Sequence, residues 1–366
     1  MIAGALLPVL VLASRPPLRL GTGDAHADVG VALQLRTTTT VRFDSAAYTE
    51  LDIRRLRLSL RGEGLDRRVR FGFQVNTTPR ALELMDAWVE WRPCPALSLR
   101  AGQVKTPLTR HRQQRFSELA FVDWGLAVFH FGAERQLGLS THVGGEDAAL
   151  TFDGGLFNGQ NARTTFERGI AEAWGTPMPN PSDLRTPPVP LPFHPEWVGR
   201  LTWSSGGART APSVDGRGGP LRVTGSLGAA WDLGPVRKKE FRGRLAPEVL
   251  VQYQHWSLDL GTYLGWAHLA GSEVDLASVG VNAELSRWLE PGVVLGLRFS
   301  SVTRLPRFVS HVESRTGRPP SPQTHEVTAA ATLPLAGDLL HLQVDAAWMH
   351  DAQDAFRART QVQLAW

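Results

Sequence analysis

The chain has a single cysteine, Cys94, in the stretch "RPCPA". One thiol has no partner within the chain, so a disulfide scaffold is excluded, and with it any C-x-x-C or paired-cysteine metal motif. Long apolar runs are missing as well. Residues 2–13 are apolar, but nothing after them approaches the ~18–20 residues that a spanning helix needs, which excludes a helical membrane protein. Barrel strands escape that test, because they alternate and never form a continuous apolar run. Catalytic signatures are absent too: there is no G-x-S-x-G elbow, no Walker loop and no H-E-x-x-H. His142, His255, His268, His325, His341 and His350 are scattered along the chain. No catalytic residue, metal site or cofactor is expected. The net charge is only +4 for 366 residues, although the pI is about 9.7. That balance calls for no polyanion such as nucleic acid, so the placement of the arginines matters more than their number.

What the sequence does have is alternation. Val29, Val31, Leu33, Leu35, Thr37, Thr39, Val41 and Phe43 fall on one side, with Gln34, Arg36, Thr38, Thr40 and Arg42 on the other. Successive side chains of a strand point to opposite faces, so this is one strand with an apolar and a polar face. It exceeds the ~5–6 residues of a typical soluble strand and suits the ~9–11 that cross a bilayer at a tilt. The same pattern places strands at 29–43, 51–61, 68–76, 83–91, 97–104, 135–143, 148–157, 198–204, 221–231, 247–253, 257–267, 276–286, 293–302, 324–334, 339–349 and 356–366. Sixteen is an even number, as a single-chain bacterial barrel requires.

The connections alternate in length. "GEGLD" (62–66) and "RPCPA" (92–96) are short, whereas 105–134, 158–197 and 303–323 are long, with 205–220 the exception. Short turns on one rim and long loops on the other mark an outer-membrane barrel. Tryptophans sort by strand end: Trp231, Trp266 and Trp348 toward the long loops, Trp91, Trp203, Trp256, Trp288 and Trp366 toward the short turns. Amphipathic rings favour the lipid–water interface, so two girdles are expected. A soluble β-sandwich is the competing fold, but sixteen long amphipathic strands without a domain break favour one closed all-β transmembrane barrel. The apolar run at 2–13 and the A-x-A sequence Ala25-His26-Ala27 point to a signal peptide over 1–27, leaving 28–366 as the barrel domain of a bacterial outer-membrane protein. An apolar N-terminus without an export role is the alternative.

If the apolar faces meet lipid, the basic residues face the lumen. Arg36, Arg42, Arg55, Arg57, Arg61, Arg68, Arg70 and Arg100 lie on the first five strands, and Arg357 and Arg359 on the last, which closes against the first. Such a wall concentrates anions, and arginine matches phosphate oxygens with a bidentate fork. Asp86, Glu90, Asp153, Glu284 and Asp345 share the polar register and either pair with arginines or form an opposing wall. In "LSLRAGQVKTPLTRHRQQRF" (97–116) a strand runs into Lys105, Arg110, His111, Arg112 and Arg115. Folded inward, the 105–134 loop would line a constriction with these groups. Phe116, Phe121, Trp124, Phe129 and Phe131 would then hold it to the wall. Left outside, its arginines would meet lipopolysaccharide phosphates.

Four stretches, "LDIRRLRLSLRGEG", "MDAWVEWRP", "LSLRAGQVKTPL" and "GGLFNGQN", resemble successive motifs of the phosphate-selective porin O and P family. The resemblance implies a trimeric sixteen-stranded outer-membrane porin with an inwardly folded third loop, and matches the arginines of 54–61, Lys105 and the basic part of the following loop. "KTPLTRH" lacks a glycine that often follows this motif, and Trp stands in "DAWVEW" where the family tends to have Tyr. The function expected is passive, anion-preferring diffusion of small inorganic anions, phosphate among them. A non-selective or plugged structural or receptor barrel and a barrel-type lipid hydrolase are the alternatives.

Overall fold

The computed structural model describes residues 18–22, 25–43, 47–78, 81–132, 135–145, 147–158, 195–206, 218–233, 241–269, 274–307, 309–310, 313, 321–336, 339–351 and 354–365. After a short β1 (Leu18–Thr22) come β2 (Ala25–Arg42), β3 (Tyr48–Gly64), β4 (Val69–Thr78), β5 (Ala81–Cys94), β6 (Leu97–Lys105), β7 (Arg135–Val143), β8 (Leu150–Phe157) and β9 (Glu196–Ser204). They are followed by β10 (Arg222–Leu233), β11 (Phe241–Tyr253), β12 (Trp256–Leu269), β13 (Val274–Leu289), β14 (Val293–Arg304), β15 (Gln323–Ala336), β16 (Leu340–His350) and β17 (Asp354–Ala365). From β2 to β17 each strand pairs antiparallel with the next, and β17 pairs with β2 (Leu364↔Leu33, Thr360↔Thr37, Phe356↔Val41). Sixteen strands therefore close into a barrel, and β1 extends β2 at the short-turn rim through pairs such as Leu20↔Ala27.

The alternation produces an inside-out protein. Gln34, Ser300, Thr328 and Gln361 face inward and are 0% exposed, whereas Leu139 and Leu297 face outward at 66% and 54%. Closure pairs the backbone groups that lipid cannot hydrogen-bond. All sixteen expected strands are present. The largest difference is at β11, which starts at Phe241 rather than 247. Pro247 lacks an N–H, and the β11–β12 ladder skips Ala246 and Pro247 without losing register, so the proline hides the first half of the strand from a sequence reading.

The girdles differ in one member. Trp231, Trp348, Trp91, Trp203 and Trp256 face outward, joined by Trp197. Trp288, expected among them, instead faces the lumen beside Phe121 and Val294, because it lies one residue out of step with outward Leu285 and Arg287. Trp366, residues 1–17 of the expected leader, and most of the 158–197 and 205–220 connections lie outside the described residues. Ala25, His26 and Ala27 open β2, between β1 and Gly62–Glu63 of β3.

A charge on the outer face tests the lipid exposure. Leu297→Arg, near the middle of β14, is expected to cost the barrel about 2–4 kcal/mol in a urea titration in liposomes, whereas the same change at an inward position would cost far less.

Candidate functional site: a loop laid across a basic channel

The long connection after β6 enters the barrel. Pro107, which cannot donate to a ladder, ends the strand geometry, and Thr109 caps one helical turn, α1 (Arg110–Gln113), its hydroxyl accepting the Arg112 N–H at 3.2 Å. A 3₁₀ turn covers Phe116–Glu118. The second helix, α2 (Leu126–Phe131), follows and closes where the Gly132 N–H donates to the Val128 carbonyl at 2.9 Å. Leu108, Phe121, Trp124, Val128 and Phe131 are buried, with Phe116 and Phe129 packed on them. Phe131 stacks on Tyr263 of β12 with ring centroids 5.9 Å apart. Among the described residues the buried apolar clusters thus lie along the seam between the loop and the inner wall.

Two charged anchors of opposite sign hold the loop. At α1, Glu248 of β11 accepts the Arg110 N–H and lies 3.0 Å from His111 Nδ1, while Tyr263 donates to it at 3.0 Å. The Arg110 guanidinium pairs with Asp259 of β12, and His111 Nε2 lies 3.3 Å from Asp259 and 3.7 Å from Glu284 of β13. Burial alone would push the His111 imidazole down, but Glu284 and Glu248 outweigh it and hold it above its ordinary value. Across the lumen Asp123 lies 3.4 Å from Arg36, 3.3 Å from Arg54 and 3.3 Å from Arg55. Burial pushes that carboxyl up, yet these arginines win and hold it well below the usual carboxylate range. Between the anchors Gln343 donates to the Leu119 carbonyl at 3.0 Å, and Thr332 to that of Ala120 at 3.2 Å.

The loop therefore leans on β10–β16 and, through Asp123, on part of β2–β3, and leaves the rest of the β2–β7 wall to water. A cavity of about 1620 Å³ lies between that wall, the loop and Trp288, Thr332 and His341 of β13–β16, and reaches from His26 and Glu63 at the short-turn rim up to Lys105 and Arg135, where the loop leaves and returns. Its described lining includes eight arginines and lysines against four carboxylates. Arg57 sits over the Phe116 ring at 4.6 Å, and neither it nor Arg61 has a carboxylate within 4.0 Å among the described residues. Arg115 meets exposed Glu118 at 3.7 Å, and Lys105 Nζ donates to the Gln114 carbonyl at 2.9 Å.

Of the residues expected to line the pore, Arg57, Arg61, Arg70, Arg100, Lys105 and Arg115 are on this cavity. Arg70 is 3.3 Å from Glu63, and Arg100 Nε donates to Glu90 at 2.9 Å. The others stand elsewhere. Arg36 and Arg55 serve the Asp123 anchor, and Arg110 turns into the side wall. Arg357 reaches Glu326 at 3.0 Å, and Arg359 holds Asp345 at 2.8 and 2.5 Å. Arg112 stacks over Trp124 at 4.6 Å. Arg42 is near the long-loop rim and Arg68 is exposed in the 65–68 turn. Alternation assigns a face, but it does not say where a loop will cover that face. Sequence reading missed Asp123, Glu248 and Asp259 as anchors, and Arg92 and Arg135 on the cavity. Arg135 has the parity of outward Leu137 and Leu139, yet at the strand end it swings in to Asp86 at 2.7 Å.

A closed barrel, apolar outside and polar inside, with a loop folded across its bore, is a porin of the bacterial outer membrane. Solved structures of the same fold include an anion-selective porin from Comamonas acidovorans (10% identity, TM-score 0.63, covering 93% of this chain and 100% of that one). The outer membrane channel DcaP of Acinetobacter baumannii (7%, 0.60, 96% and 100%) and Pseudomonas putida OprB (11%, 0.58, 93% and 94%) are similar too. The family model of phosphate-selective porin O and P matches residues 22–220, a little over half of the chain, and the chain belongs to that family. No curated protein sequence matches it.

The anchors have opposite pH limits. His111 strengthens the seat at pH below its ordinary value and stops doing so as pH rises through the raised one. Asp123 strengthens it at pH above the ordinary carboxylate value and stops as pH falls through the lowered one. The unfolding temperature of the heat-modifiable band on a gel is expected to drop on the alkaline side, and His111→Gln to abolish that step. Asp123→Asn leaves Arg54 and Arg55 without a carboxylate partner among the described residues, and Arg36 with Asp52 at 3.9 Å. It is expected to cost about 3 kcal/mol by chemical denaturation, the low end for a buried pair because Arg54 keeps contact with water.

Proposed function

We propose that this porin is an anion-preferring diffusion channel that accepts inorganic phosphate, its selectivity carried by the basic wall of β2–β7. The observation that carries this reading is the two-to-one excess of arginine and lysine over carboxylate on the described lining of the open cavity. The carboxylates of the other half, Glu248, Asp259, Glu284, Glu326 and Asp345, are matched by Arg110, His111, Arg298, Arg357 and Arg359 and are buried against the loop or in the wall. A diffusing ion meets the wall that retains a net positive charge, and a charged wall in a confined aqueous path enriches the opposite ion. Arg57 and Arg61 border the cavity with no carboxylate within 4.0 Å among the described residues, so their charge is left to balance a phosphate. The anion selectivity of the Comamonas acidovorans porin supports the same assignment.

With this reading go an outer surface set in lipid and lipopolysaccharide, a homotrimer, and a leader removed after Ala27, whose loss would take β1 and the first three residues of β2 from the short-turn rim. The competing reading is a non-selective or plugged barrel. It is favoured by the depth to which the loop fills the lumen and by the pairing of Arg36, Arg55, Arg357 and Arg359.

Planar bilayers separate the two. Across a KCl gradient the reversal potential is expected to take the anion-selective sign, with phosphate reducing the chloride current. In Arg57→Ala/Arg61→Ala the potential moves toward zero, and the phosphate block weakens several-fold. A cation-selective or non-selective current would discard the anion assignment. No current from folded protein would make the barrel plugged.

A further inference from the structure

The loop lies flush against one half of the barrel because three inward positions there have no side chain. Gly228 of β10, Gly280 of β13 and Gly296 of β14 all point into the lumen. A Cβ on Gly228 would come within 1.8 Å of the Leu108 carbonyl oxygen. On Gly280 it would come within 2.4 Å of the Phe131 ring and 3.0 Å of the Ala127 Cβ, and on Gly296 within 2.8 Å of the Phe121 ring. Atoms do not approach so closely, so any side chain at these positions lifts the loop or displaces its buried rings.

Their distribution is what gives them a meaning. Among the strand glycines whose surroundings are described, these three are the ones whose nearest Cβ contacts fall in the loop, and all three lie on β10–β14. Gly72, inward on the opposite wall, makes room for Trp88 of the adjacent strand instead. Nor is glycine the rule at inward positions of the seat, where Ser226, Asn282 and Arg298 each stand two residues from one of the three. The loop supplies a fourth contact of the same kind. A Cβ on Gly125 would lie 2.2 Å from Asn282 Oδ1 and 3.1 Å from Ser300 Oγ. At these four points loop or wall gives up a side chain to let the other approach, while the wall across the cavity carries arginines.

We infer that Gly228, Gly280 and Gly296 set the bore of the channel: they let residues 106–131 lie flat on β10–β14, and so keep the path along β2–β7 open. A methyl group at any of them pushes the loop toward the arginine wall. The charged anchors hold the loop in the lumen, whereas the glycines decide how far it protrudes. This inference needs the porin but not its anion preference.

The test is single-channel conductance in planar bilayers of Gly228→Ala, Gly280→Ala and Gly296→Ala, each first shown to be folded by heat-modifiable migration. Each is expected to lower conductance about twofold or more while keeping the sign of the reversal potential, since no pore charge is altered. Phe131→Leu is expected to restore at least half of the loss in Gly280→Ala, and Phe121→Leu to do so in Gly296→Ala. Unchanged or raised conductance in the alanine variants, or a loss that the smaller side chains do not relieve, would overturn the inference. If Gly280→Ala fails to fold, recovery of the folded form by Phe131→Leu supports the contact, and failure to recover overturns it. A cation-selective wild type would sink the proposed anion channel and leave this result standing.

Discussion

Every peptide group in the membrane must find its hydrogen-bond partner within the protein, and the β17–β2 pairing is what makes that condition hold all the way round. Without it two strands would present bare edges to lipid. With it the sheet has no edge, each strand must turn one face outward, and period-two alternation becomes obligatory along its length. The outward faces of Leu139, Leu297 and the tryptophans and the inward faces of Gln34, Thr328 and Gln361 follow from that one constraint.

A barrel of sixteen strands is too wide to be filled by its own inward side chains, so its interior needs a second solution. Here the solution is the 106–132 loop, which brings the apolar core that the wall lacks. It also brings charges that complement the wall. Arg110 and His111 enter an acidic cluster on β11–β13, and Asp123 enters a basic cluster on β2–β3. Buried charges without partners are prohibitively costly, so neither cluster would suit the lumen unless the loop neutralised it. The loop thereby takes up Glu248, Asp259 and Glu284 of one half and part of the basic groups of the other. What stays in water on β2–β7 is a cationic remainder.

The division of labour inside the lumen explains why residues of the same type serve different ends. Arg55 and Arg57 are two apart on β3 and share a face, yet Arg55 is spent on Asp123 and Gln34, whereas Arg57 has the Phe116 ring above it and no carboxylate partner among the described residues. Glu248 and Glu63 are both inward carboxylates. The first is sealed beneath α1, and the second stands in the open cavity with Arg70. Position relative to the loop, rather than residue type, separates a group that builds the channel from one that meets the solute.

Alternation is a local property, and so the sequence alone determined which residues lie on strands, which face each takes and that the sheet closes. "VALQLRTTTTVRF" and "AFRARTQVQLAW" state their two faces without reference to anything distant. It failed where a local signal was masked, as at Pro247 in β11, and where parity loosens near a strand end, as at Arg135; Trp288 kept its parity and so faces the lumen rather than the girdle. The role of each inward residue was a different matter. Arg110 meets Asp259, 149 residues away, and Asp123 meets Arg55, 68 residues away, and no spacing rule connects such pairs. Only the tertiary structure decided which half of the lumen the loop covers, because that depends on many distant contacts made at once: two charged anchors, one apolar seam and three missing side chains.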